Sequence, residues 1–196
     1  MIDGATREIW LHRVMFLGIA LATLFWRLLP LPLAEAASCA PEASLCRLWV
    51  WLDRMPGPDL LLCLIFAWTM RRPDYLPVLL IAAVVFLEDL LLMRPPGLWT
   101  LLVLMGSEFV RGRVALTREL SFMVEWLLVT GLMFAMIVIY RLIFAMVLLP
   151  QAGLGFALVQ LFWSVLFYPA VVYLSRVVLD LRKPAMGEVD AYGRRL

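Results

Sequence analysis

Val84-Val85-Phe86-Leu87-Glu88-Asp89-Leu90-Leu91-Leu92-Met93-Arg94-Pro95-Pro96-Gly97 decides how this chain is read. Two neighbouring carboxylates sit inside an apolar run, and the run is closed by Arg-Pro-Pro-Gly. In water that would be ordinary. In lipid, each ionised carboxylate at mid-depth costs about 2.5–3.5 kcal/mol on insertion scales, so a residue carried there faces protein or trapped water and has a partner. Adjacent helical positions point about 100° apart. Glu88 and Asp89 are therefore expected to take different surroundings, one facing the bundle and the other the headgroup side.

The rest of the chain supports a membrane setting. Of its 196 residues 64% are hydrophobic, and the mean hydropathy is +0.94, against about 45–50% apolar residues in an average soluble domain. The net charge is +2, and no basic stripe interleaved with aromatics appears, so nucleic acid is excluded as a partner. The single histidine, His12, cannot make a metal site and reads as interfacial. No nucleophile–base–orienter set can be assembled. Gly153-Leu154-Gly155 is a lone turn and not a phosphate loop. No enzymatic activity, cofactor or metal is expected.

Apolar runs bounded by charge or by Pro and Gly mark six candidate spans. They are Val14 to Leu33, Leu60 to Met70, Leu76 to Met93, Leu98 to Val110, Phe122 to Leu149, and Leu154 to Leu179, with a kink at Pro169. The second and fourth are too short to cross a full bilayer unaided. With the N-terminus in the cytoplasm, twelve Arg and Lys residues fall in inner segments, three (Arg47, Arg54, Arg94) in outer ones, and Arg27 and Arg141 within spans. That bias predicts an all-α polytopic integral membrane bundle of six transmembrane helices with both termini cytoplasmic. One domain covers residues 1–183, with an outer loop at about 34–59, and residues 184–196 form a polar cytoplasmic tail. A cleaved leader ending near Ala34-Glu35-Ala36 is the rival, opposed by Arg27 and Glu8. An outside loop would let Cys39 and Cys46 form a disulfide. Cys63, in an apolar run, packs as a small hydrophobe. Trp49, Trp51 and Trp99 fit an outer aromatic belt.

Glu88, Asp89, Arg27 and Arg141 all come late in inside-to-outside helices. They are expected to share the outer leaflet, with Arg27, Arg141 or both pairing with Glu88 or Asp89. Glu108 ends the fourth span and Glu125 opens the fifth, close in sequence to Arg111, Arg113 and Arg118, as if stapling an inner turn. Three readings are open for such charges: paired groups that fix helix register, a proton or substrate path, and contact with a partner protein.

Beyond the residues themselves, the sequence resembles the MreD family of rod shape-determining membrane proteins. The residues that carry the resemblance are Pro58-Asp59-Leu60-Leu61-Leu62, then Arg71-Arg72-Pro73-Asp74-Tyr75-Leu76-Pro77, then Asp89 with Gly97 eight positions on in a turn containing Arg94 and Pro96, and finally Tyr168-Pro169 with Arg176. Residues 58–113 match well and the last helix moderately. The family often has Gly four positions after the Asp, where this chain has Met93, and Glu88 is an addition. The resemblance implies a non-enzymatic role in the bacterial cytoplasmic (inner) membrane, in the elongation machinery of peptidoglycan synthesis. The implied partners are a bitopic MreC-like protein and, through it, a RodA-type glycosyltransferase with its penicillin-binding transpeptidase and, indirectly, MreB.

A scaffold of that kind needs small residues where a partner span can pack. Gly155, Ala157, Ser164 and Ala170 on the sixth helix and Gly131 and Ala135 on the fifth are candidates. The resemblance also brings an alternative, because the family is similar in fold to substrate-binding subunits of vitamin transporters. In that reading Glu35, Glu42 and Asp53 of the outer loop, with Glu88 and Asp89, line a pocket.

Overall fold

The computed structural model describes residues 2–29, 56–113, 121–149, 151 and 153–179. The segment carrying Cys39 and Cys46, most of the expected outer loop, the Ala34-Glu35-Ala36 site, Arg118 and the tail lie outside the described residues. The described chain is all-helical: α1 (Ile2–Leu28), α2 (Leu60–Arg71), a short 3-10 turn (Pro73–Tyr75), α3 (Val78–Leu91), α4 (Leu98–Arg111), α5 (Phe122–Met146) and α6 (Leu154–Leu179). Three of these helices are long and apolar enough to cross a membrane: α1 over Arg7–Leu28, α5, and α6. Together with the composition, they place the chain among membrane proteins.

Every helix contributes to one apolar core, and α2 is its axis. This helix has 12 residues, and Leu61 to Arg71 are all buried. At about 1.5 Å per residue it spans about 18 Å, well short of a hydrocarbon layer of about 30 Å. The shortfall costs little, because α2 is sheathed by protein and needs no match to lipid. Phe16 of α1 packs on Trp68, with ring centroids 5.4 Å apart. On another side α4 comes in over Gly106, where an added Cβ would lie 3.2 Å from both Phe66 and Met136.

Helix ends follow local chemistry. Asp59 caps α2, its Oδ1 accepting from the Leu62 amide at 3.1 Å, one of the donors that a helix start leaves unsatisfied. Where the sequence predicts spans to Met93 and Leu149, α3 stops at Leu91 and α5 at Met146. Each is closed by a residue in the left-handed region, Met93 (φ +53°) and Leu148 (φ +56°). The amide two residues past each cap bonds back five residues, Arg94 to the Asp89 carbonyl and Leu149 to the Phe144 carbonyl. This is the Schellman closure, which favours glycine at the left-handed position. Met93 therefore occupies a site whose backbone suits glycine.

Pro169 lies inside α6. Proline has no N–H, so the carbonyl four residues back, that of Val165, loses its intrahelical donor. The Trp126 indole of α5 supplies the replacement, donating to the Val165 oxygen at 3.0 Å. Within lipid such a freed carbonyl must be met by a neighbouring group, and here the proline fixes the contact between the last two helices.

Candidate functional site

The expected pairing of Arg27 with Glu88 is present: the α1 guanidinium donates to the α3 carboxylate. The same Arg27 lies 3.7 Å from Asp59 at the start of α2. One cation thus ties the ends of three helices. Glu88 is 1% exposed and Asp89 is fully buried, which corrects the expectation that one of them faces the headgroups. Asp89 turns toward α4. Its Oδ2 accepts from the Gly97 amide at 3.2 Å, the Thr100 amide at 3.2 Å and the Thr100 hydroxyl at 2.8 Å. It therefore caps the next helix from outside that helix. The two acids diverge because α1 and α4 flank α3 on different sides.

The spacing from Asp89 to Gly97 now has a physical content. Gly97 stands at φ +94°, a conformation open to glycine and strained for other residues. That conformation lets the chain reverse and present its amides to the Asp89 carboxylate. Pro96 sits exposed in the same turn. Arg94 lies over the Trp99 ring, 5.6 Å from its centroid. Trp99 is 8% exposed and meets Tyr140 edge-on at 5.6 Å. It is a core residue and not the belt anchor expected, because Arg94 and α5 cover it.

A second cluster lies toward the opposite end of α2. The Arg71 guanidinium reaches back one turn to the Ala67 carbonyl at 3.0 Å and meets Glu125 of α5 at 2.9 Å. The Tyr168 hydroxyl of α6 donates to the same Glu125 oxygen at 3.0 Å. All three side chains are buried. The expected staple between Glu108 and Glu125 resolves differently among the described residues. Glu108 pairs with Arg111 along its own helix at 3.2 Å, and its side chain is 49% exposed, whereas Glu125 ties α5 to α2 and α6. The connection from α2 to α3 is pinned nearby. Arg13 donates to the Asp74 carbonyl at 3.3 Å and Arg111 to the Leu76 carbonyl at 2.6 Å. His12 stacks on Tyr75 at 4.4 Å, so it is a packing group between α1 and this turn.

Arg141 is placed by α5 at the end where Arg27 lies, as expected. Among the described residues Glu88 is held by Arg27 and Asp89 by the start of α4. Arg141 lines a cavity of about 390 Å3 together with Asp59, Arg94 and Gln160, and its carbonyl accepts from the Gln151 amide at 2.9 Å. Ser164, read as a candidate for partner contact, is buried and spent internally. Its hydroxyl accepts from the Asp59 amide at 2.8 Å, and its carbonyl accepts from the Cys63 thiol at 3.3 Å. Cys63 is thus a weak donor from α2 to α6 as well as an apolar filler.

Asp59, Arg71, Thr100, Trp126 and Tyr168 do structural work that the charge analysis of the sequence missed. Asp59, directly ahead of an apolar run, carried a visible helix-start signal. The partnership of Arg71, Glu125 and Tyr168 carried none, because it joins positions 43 and 54 residues apart. Among the described residues no group of three or more His, Cys, Asp or Glu could hold a metal ion. Compared with models of protein families, with curated proteins and with solved structures, the chain matches none.

Proposed function

We propose that the chain is a six-span protein of the bacterial cytoplasmic membrane, with both termini inside, acting as a non-enzymatic scaffold in cell elongation. In this reading it belongs with the MreD-like proteins it resembles. It grips the single span of an MreC-like partner and through it influences the RodA-type glycosyltransferase and its transpeptidase. The observation that carries the reading is the use made of the buried acids. Glu88, Asp89 and Glu125 are each engaged in holding one helix to another, which favours register-fixing over a proton path.

The residues on which the resemblance rests supply those fixings: Asp59, Arg71, Asp89, Gly97 and Tyr168. The lipid-facing surface is left for a partner. Gly131 and Ala135 of α5 are both exposed, four residues apart, and an added Cβ at Gly131 meets nothing within 4 Å. Gly155 is equally open. On α1, Gly18 and Ala22 form a further exposed small pair. Such spacing lets a neighbouring helix approach closely in lipid.

The test is co-purification with a bitopic MreC-like protein in mild detergent, with Gly131→Leu and Ala135→Leu expected to weaken the complex while leaving the fold intact. Two folded proteins that never co-elute would sink the scaffold reading. Reporter fusions at the two termini, both expected to read cytoplasmic, test the topology.

The cavity at the Asp59 end favours a second reading, the substrate-binding subunit of a transporter. A thermal-shift screen of water-soluble metabolites separates the two, since only the transporter reading expects a metabolite to raise the unfolding temperature.

A further inference from the structure

α3 and α4 form one outer wall of the bundle. They pack along each other, α3 also touches α1, and α4 touches α2 and α5. Each has 14 residues, so each is about 21 Å long. On the other flank α5 has 25 residues and α6 has 26, about 38 and 39 Å. The protein thus carries a long wall and a short one, against a hydrocarbon layer of about 30 Å.

Among the described residues nothing covers the outer side of the short wall. Leu79 is 82% exposed, Leu90 51%, Leu101 53% and Met105 62%. Its two ends are polar and pinned. At one end Arg13 of α1 donates to the Asp74 carbonyl and Arg111 to the Leu76 carbonyl, and the Glu108–Arg111 pair lies in the last turn of α4. At the other, Arg27 of α1 holds Glu88 and Asp89 holds the start of α4. Arg13 and Arg27 stand 14 residues apart on one helix, which again separates the ends by about 21 Å.

A wall too short for its bilayer is accommodated by thinning the lipid, by flanking side chains that stretch to the headgroups, or by association. Tilting a short helix only shortens it further. Stretching is blocked, because Arg13, Arg27 and Arg111 are each tied to a group of the bundle. Close association in lipid uses small residues. The exposed side chains here are large, with Ala83 the one small exposed residue of α3 and α4. Thinning is the course left.

We propose that the α3–α4 wall draws the headgroup layers beside it to about 21 Å apart, so that its partner is lipid with short or bent acyl chains, while α5 and α6 stand in bilayer of ordinary depth. The inference rests on the six-span reading above, because α3 and α4 must cross; it makes no use of the scaffold role.

The experiment uses the full chain with Cys39→Ser and Cys46→Ser, leaving the buried Cys63. A nitroxide is placed on Ala83→Cys, midway along α3, or on Phe134→Cys, midway along α5, both exposed. Its depth is read from collisions with oxygen and with a water-soluble nickel chelate. The vesicles are dimyristoleoyl-, dioleoyl- or dierucoylphosphatidylcholine. In dioleoylphosphatidylcholine the Ala83 label is expected about 10 Å below the headgroups and the Phe134 label about 15 Å, half of each thickness. Across the series the Ala83 label should hold its depth while the Phe134 label sinks as the chains lengthen. Phe86→Cys repeats the α3 reading if the Ala83 variant fails to fold. Equal depths on the two walls, sinking together, would overturn the proposal. So would an Ala83 label shielded from oxygen, which would mean that protein covers the wall. The crossing is checked separately in spheroplasts, where a membrane-impermeant maleimide should reach Pro96→Cys and not Gly112→Cys. The same result at both sites would defeat the six-span reading and this proposal with it, whereas crossing with equal depths defeats this proposal alone.

Discussion

Two ionic clusters among the described residues, one around Arg71 and one around Arg27, both pair arginine with buried carboxylates and are used in opposite ways. Around Arg71, Glu125 and Tyr168 everything is sealed: the Arg71 side chain is 7% exposed and that of Glu125 1%. Around Arg27, Glu88 and Asp59 the acids are sealed, but the cation is 28% exposed and a cavity opens alongside. A closed cluster can only hold helices together. A cluster whose cation is only partly enclosed by protein can also exchange partners, and the space beside it can be filled. The difference between the two ends separates what fixes the fold from what remains available to something else.

Breaking the closed end should cost most. Arg71→Leu or Glu125→Leu leaves a buried charge without its counter-ion, for which about 3–5 kcal/mol is the expected loss of stability. The double variant should lose less than either single one, as read by unfolding in detergent through a double-mutant cycle. Equal, additive losses would mean that the pair is not coupled.

At the open end the turn comes next. Asp89→Leu strips three donors at the start of α4 of their acceptor and should cost about 2–3 kcal/mol. Asp89→Asn keeps an acceptor oxygen and should cost less than half of that in the same unfolding measurement. Arg27→Gln should cost about 1–2 kcal/mol, below its counterpart Arg71, because protein encloses the Arg27 side chain only in part. If Arg27 proved the costlier of the two, the contrast between the ends would fail.

Two smaller effects sharpen the picture away from the charges. Trp126→Phe leaves the Val165 carbonyl without a donor and should cost about 1–2 kcal/mol. Pro169→Ala restores an intrahelical donor, so in that background the same change should cost much less. Met93→Gly should stabilise the protein by about 0.5–1 kcal/mol by relieving the left-handed strain at the end of α3, a gain visible as a higher unfolding temperature.

Much of this was legible in the residues. Periodicity and breakers marked all six helices, and α6 runs from Leu154 to Leu179 as read. The rule that a buried acid finds a partner put Arg27 and Glu88 among the candidate pairs, with Arg141 and Asp89, because all four fall late in helices running the same way. Three features were not legible, each for a physical reason. The commitment of Asp89 to backbone amides depended on the exact reversal at Gly97. The Arg71–Glu125–Tyr168 contact depended on which helices became neighbours. The early ends of α3 and α5 depended on Met93 and Leu148 adopting a conformation that neither residue advertises.

The short α2, wrapped on every side, also constrains how the protein is made. A dozen residues cannot hold a place across a bilayer by their own affinity for oil. This segment comes to rest only when walls exist around it, and one wall is α6, which leaves the ribosome long after α2 and whose Ser164 receives the amide of Asp59. Assembly must therefore close backwards, with an early piece of chain waiting for a late one. A chain interrupted before Leu154 should leave that piece without a settled position and open to quality-control proteases.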